Sequence, residues 1–242
     1  MTRRTVPLTV DRLALLDDGV LPCAGCVRWE LDAVRHARVA SDGDAVRATK
    51  QEWLSTVLRE WGSCGRVVLV DDEPVGLACY APPAFYPGAA AHPTAPVSAD
   101  AVLLAALHVA PAHRGGGLAR LLVQGVVRDL VTRGGVRALE AFATTRTPAR
   151  GGCLLPQELL ARVGFRTHRA HPTTPRMRME VRSVSVWRDE VEAALERLVD
   201  AVRPGVPAPS VNRSQPVKAS RSFSSAALGL APTMDFTTSP PW

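Results

Sequence analysis

At 242 residues with 46% hydrophobic side chains, the chain holds enough material for one domain of average size with a sizeable core, plus extensions. Its net charge of +6 comes from dispersed arginines with no basic run interleaved with aromatics, which argues against nucleic acid and for a basic surface that favours anionic small ligands. Five scattered cysteines form no disulfide framework, no run approaches membrane-spanning length, and residues 1–10 lack the apolar stretch of a signal peptide, so a soluble, cytoplasmic protein with reduced thiols and no membrane contact is expected.

In chain order, Val6, Leu8 and Val10 alternate as in a strand over residues 5–10, and residues 11–16 form a short amphipathic segment. Cys23 and Cys26 then stand in Cys-x-x-Cys spacing ahead of Trp29. Two thiols are half of what a structural zinc requires and no second pair exists, so the expectation is no metal and two reduced thiols beside a buried Trp29. Metal or redox chemistry would need the fold to bring in Cys153 or a histidine. Val46, Trp53, Leu54, Val57, Leu58 and Trp61 recur at helical spacing up to Gly62. Residues 66–70 and 74–80 flank Asp71-Asp72-Glu73 as a hairpin. The proline-rich residues 81–99 read as an irregular loop, whose Phe85 and Tyr86 either line a pocket or pack on the core.

The stretch from Leu103 to Phe142 organises the chain. Residues 103–109 are an apolar strand bounded by Pro111, three glycines follow at 115–117, and Leu118, Leu121, Leu122, Val126 and Leu130 mark a helix. Gly134-Gly135 stops that helix, and residues 136–142 read as a second strand. A glycine turn that opens a helix points N–H groups outward at the positive end of the helix dipole, which suits a phosphate or pyrophosphate. Leu118-Ala119 stand where a Walker loop needs Lys and Ser or Thr, so a nucleoside triphosphatase is excluded. A dinucleotide fingerprint has Gly115, Gly117 and the acid Glu140 in its favour. Against it, its third glycine falls on Arg120, and residues 111–114 separate strand from turn.

Val109-x-Pro111-x-x-Arg114-Gly115-x-Gly117-x-Ala119 resembles motif A of the GNAT N-acyltransferases, with the Arg/Gln-x-x-Gly-x-Gly/Ala core at Arg114, Gly117 and Ala119. A helix and hairpin before it, and Gly164-Phe165 leading into a last hairpin (residues 165–171 and 176–182), follow the family's element order. The Cys-x-x-Cys-x-x-Trp segment at Cys23, Cys26 and Trp29 looks similar to an actinobacterial-type subgroup. The resemblance implies an α/β (α+β) fold, a mixed central sheet flanked by helices, whose fourth and fifth strands splay around the pantetheine arm of acetyl-CoA. It implies that Leu107 and Val109 pair with that arm, and that the amides of Arg114, Gly115, Gly116, Gly117, Leu118 and Ala119 hold the pyrophosphate. An acetyl or short acyl group would then pass to an amine of a small molecule or protein by direct attack on the thioester.

Such chemistry needs a base for the amine and an acid for the departing thiolate. Many GNAT members place a Tyr for the second task in the helix after the second strand, and residues 154–164 contain none. Three candidates remain. His108 beside Val109 suits a base or proton relay; Glu140 is either a base or a core-facing acid paired with an arginine; Cys153 lies near the position of the family's acid. A catalytically silent CoA-binding or interaction module on the same fold is the competing reading. Beyond the family's usual elements, Trp187, Val191, Leu195, Leu198 and Val202 outline an extra helix that covers the sheet or makes a homodimer contact. That helix completes a domain over residues 1–203, and residues 204–242, rich in Pro, Ser and Ala, read as a disordered tail with Phe223, Phe236 and Trp242 as weak anchors.

Overall fold

The computed structural model describes residues 1–17, 21, 23–146 and 153–181; the expected helix over 187–202 and the tail over 204–242 lie outside them. Strand β1 (Arg3–Pro7) leads into helix α1 (Val10–Asp17). The strand ends earlier than its Val6-Leu8-Val10 alternation suggests. Thr9 accepts at its hydroxyl from the Arg12 N–H and turns the chain into a helix. Helix α2 (Ala33–Val39) has no buried residue and so no apolar stripe to announce it; the Asp32 carboxylate starts it by accepting from the Val34 and Arg35 amides. Helix α3 (Gly43–Trp61) is capped in the same way by Asp42 and stops at Gly62, which adopts φ 82°.

Strands β2 (Gly65–Val70) and β3 (Glu73–Ala81) form the expected hairpin. The proline-rich loop contains two short 3-10 turns, at Pro83–Phe85 and Pro87–Ala91, and buries Tyr86 against Trp53 with ring centroids 5.2 Å apart. Tyr86 is therefore core rather than pocket lining. Next come β4 (Ala101–Val109), α4 (Leu118–Arg133), β5 (Ala138–Thr144), the two-residue β6 (Leu155–Pro156), α5 (Gln157–Arg162), β7 (Arg166–Arg169) and β8 (Arg176–Glu180). The sheet order is β1-β2-β3-β4-β5-β8-β7, with β6 beside β5. Pairing is antiparallel except for β4 with β5 and β5 with β6.

Two cores sandwich this mixed sheet. On one face α4 lays Leu118, Leu122, Val126 and Leu130 against Leu104, Leu107 and Leu139. On the other, Leu16, Trp53, Leu54 and Trp29 cover Leu103, Ala105 and Phe142. Strand β4 changes phase between the two. Tyr80 pairs with Leu104 and Cys79 with Ala106, so Ala105 is an extra residue, a bulge that increases the local twist. Strands β4 and β5 pair only over Ala101↔Ala138, Val102↔Leu139 and Leu103↔Glu140. The bulge follows two residues after the last of these pairs and turns β4 away, leaving a gap between the strand ends. Among the described residues no helix is long and apolar enough to cross a membrane.

Candidate functional site

The gap and the turn that follows β4 define the site. Ala110 donates its N–H to Val75 on β3 (2.8 Å), so by alternation Val109 and Leu107 turn their backbone groups to the opposite edge, where β5 has left. Past a short 3-10 turn at Pro111–His113, Gly115 and Gly117 take φ of 81° and 79°. A side chain at either would be strained, and an added Cβ would point into open space in both cases. Gly117 is the N-cap of α4, without a side chain to satisfy the helix's first amides, and the first intrahelical bond runs from Leu121 to Gly117. The turn is therefore a cradle of unpaired N–H groups at the positive end of a 16-residue helix.

Two arginines attend the turn. Arg114 folds back so that its Nε donates to the Val109 carbonyl at 3.0 Å, and Arg3 reaches over from β1 to donate to the Gly116 carbonyl at 2.8 Å. Arg3 carries no signal in the sequence; only strand pairing brings it 113 residues along the chain to the glycines. On the outer side of α4 a groove of about 630 Å³ runs to α5 and β7, with Arg120, Gln124, Arg162 and Arg166 on its walls.

On the other face of β4, His108 is half-buried and meets Cys23, with Nε2 2.9 Å from Sγ. Burial, and after it the charge of Arg114, lower its pKa, so the imidazole is held neutral. Cys153 Sγ is 3.5 Å from that of Cys26, and the Cys23 thiol and after it burial push the Cys153 thiol up. The structure thus brings two of the three catalytic candidates, His108 and Cys153, onto the one segment that carries Cys23 and Cys26. Among the described residues no group of three His, Cys, Asp or Glu side chains is arranged to hold a metal ion. Trp29, His92 and Phe142 stack beside this cluster, with His92 4.8 Å from each of the other two rings.

What fixes the Cys-x-x-Cys segment is a buried ion pair absent from the sequence reading. Lys50 of α3 pairs with Glu30 and donates to the Cys26 carbonyl at 3.1 Å, although both side chains are almost wholly buried. Burial works against the lysine's charge, but the Glu30 carboxylate outweighs it and raises the pKa. Glu140 is placed elsewhere. It sits in the paired part of β5, fully buried, accepting from the Ser98 amide (3.1 Å) and Arg178 (3.1 Å) and ion-paired with Arg176 (3.3 Å). Burial opposes its charge, yet these partners lower its pKa and commit it as the core-facing acid of an arginine network.

The acetyltransferase (GNAT) family model matches residues 28–152. Among solved structures, the chain is similar to the PaiA N-acetyltransferase from Thermoplasma acidophilum in complex with coenzyme A, at 11% identity over 74% of this chain and 99% of that one, with a TM-score of 0.49. It is similar to an N-acetyltransferase from Staphylococcus aureus at 13% identity, covering 75% and 99% of the two chains with a TM-score of 0.48. An acetyltransferase from Thermus thermophilus is 18% identical over 74% and 97%, with a TM-score of 0.44. No curated protein matches the sequence.

Proposed function

This chain belongs to the GNAT acetyltransferase family, and on that premise we propose that it transfers an acetyl or short acyl group from acyl-CoA to an amine, which attacks the thioester directly. The observation that carries the reading is the parting of β4 from β5 beside a turn of left-handed glycines that opens α4. In this reading the pyrophosphate rests on the turn from Arg114 to Ala119, where the Arg114 amide is held by the Pro111 carbonyl and the N–H groups after it, with the helix dipole, meet its charge. Pantetheine enters the gap and pairs with Leu107 and Val109, displacing the Arg114 side chain from the Val109 carbonyl. The Val109 amide then faces the thioester oxygen as negative charge develops on it.

His108, neutral and at the end of β4, takes the amine's proton. Cys153, on the same Cys23–Cys26 segment as His108, returns one to the CoA thiolate. The stack of Trp29, His92 and Phe142 flanks the acceptor, an amine of a small molecule or protein, and the arginines of the groove beside α4 give an anionic cofactor a basic wall. In this reading the setting is the cytoplasm, and the resemblance of the Cys-x-x-Cys-x-x-Trp segment to an actinobacterial-type subgroup supports a kinship with it. The test is turnover by the full chain. Release of CoA thiol from acetyl-CoA with a matching mass gain on one of a panel of amines is expected. Saturable CoA binding with no turnover on a broad panel would instead favour the catalytically silent module.

A further inference from the structure

Three of the five cysteines meet although they come from distant parts of the chain. Cys26 Sγ lies 3.5 Å from Cys153 Sγ, Cys23 Sγ lies 2.9 Å from His108 Nε2, and the Cys23 thiol is the first cause of the raised Cys153 pKa. The result is a row, His108, Cys23, Cys153, Cys26, with a base at one end. The contact that matters is not the one the Cys-x-x-Cys spacing suggests, since the fold sets Cys26 on Cys153. All three thiols lie outside residues 28–152, the part that the acetyltransferase model covers, so this row is an addition to the acyl-transfer frame. Cys23 and Cys153 are only 6% and 8% exposed, which admits a small neutral oxidant and shuts out a bulky disulfide.

We propose that Cys23, Cys26 and Cys153 form a peroxide-reactive site that reduces hydrogen peroxide and closes a Cys26–Cys153 disulfide. His108 Nε2 takes the Cys23 proton, and the thiolate attacks one peroxide oxygen. The O–O bond breaks, the leaving hydroxide takes the proton from His108 as water, and Cys23 is left as a sulfenic acid. Cys153 attacks that sulfur; the S–O bond breaks, the hydroxide leaves with the Cys153 proton as a second water, and Cys23 and Cys153 are joined. Cys26 then exchanges, bonding to Cys153 while the bond to Cys23 breaks and the proton of Cys26 passes to Cys23. In sum, two thiols are oxidised to one disulfide and one peroxide is reduced to two waters. The exchange runs this way because Cys26 Sγ already lies 3.5 Å from the Cys153 sulfur it attacks. It also returns Cys23 to its contact with His108.

The test uses the full chain, reduced and then treated with hydrogen peroxide, with free-thiol counts and peptide mapping under non-reducing conditions. Two thiols lost per chain, peptides linked through Cys26 and Cys153, and recovery of both thiols with a dithiol reductant are expected. The link should form at least tenfold faster in the folded protein than in denaturant, and at least tenfold slower in folded His108→Asn. Cys153→Ser should abolish it, and Cys26→Ser serves the same purpose if the first variant fails to fold. Links scattered over Cys64 and Cys79, a Cys23 sulfinic acid without a link, five unreacted thiols, or stoichiometric zinc in the purified protein would each overturn the proposal. Because a linked Cys153 could not also protonate the CoA thiolate, acyl transfer is read separately, from CoA release by wild-type protein kept fully reduced, and its failure there would leave the peroxide result standing.

Discussion

The two faces of β4 end in sites built from different materials. The turn before α4 is made of backbone: left-handed glycines, amides of a first helical turn, and no capping side chain. The cluster on the opposite face is made of side chains, held by a buried ion pair two elements away. A backbone site depends on a few φ angles and tolerates most changes around it, whereas a side-chain site depends on every remote anchor that positions its members. Substitutions that strike one and spare the other sharpen this contrast.

The largest effect is expected at the anchor. Lys50→Met leaves the Glu30 carboxylate buried without its cation, and breaking a buried pair by removing one partner costs about 3 to 5 kcal/mol. Denaturant unfolding should show that loss, and adding Glu30→Gln should recover part of it because the stranded charge is gone. A change below about 1 kcal/mol would mean that the pair is not what holds the Cys26 segment, and the contrast would fail on that side.

Gly117→Glu comes next and strikes the other face. Its carboxylate would project into the open space over the cradle and repel the phosphates it was built for, so CoA affinity should drop by more than a hundredfold, about 3 kcal/mol. Arg114→Ala should cost about 1 to 2 kcal/mol, because it removes one charge and leaves every amide in place. Calorimetric titration of CoA, with circular dichroism to confirm folding, gives the order of the two. A folded Gly117→Glu that binds CoA as tightly as wild type would remove the turn from the cofactor site.

The same contrast explains what could be read in advance. The strand, glycine turn, helix and strand from Leu103 to Phe142 are local: apolar spacing, Pro111 and Gly134-Gly135 act within a few residues of where they stand. The order of these elements followed from them, whereas the Leu107 and Val109 edge was implied by the resemblance to motif A. The thiol row was illegible because its contacts span 85 and 127 residues and depend on where a Cys-x-x-Cys segment lands on a sheet. Helix α2 gives no apolar signal since it buries nothing, and nothing in the sequence marks Lys50, because a buried charge is intelligible only with its partner in view. Glu140 kept two readings open until Arg176 and Arg178 arrived from β8.

Arg3 is the smallest of the expected effects and the one that probes the border between the two kinds of site. It is a side chain serving a backbone site, placed by the pairing of β1 with β2 and bonded to the Gly116 carbonyl at 2.8 Å. Its guanidinium is exposed, so its attraction for a bound pyrophosphate is weakened by water and by salt. Arg3→Ala should therefore lower CoA affinity by about two- to fivefold at low ionic strength, and the difference should fade as salt approaches about 0.5 M. Loss of the hydrogen bond alone would leave the turn intact, because the φ angles of Gly115 and Gly117 are set by the chain and not by the arginine. A salt-independent loss as large as that of Gly117→Glu would show that Arg3 shapes the turn itself, and the cradle would then owe its geometry to a remote anchor just as the thiol row does.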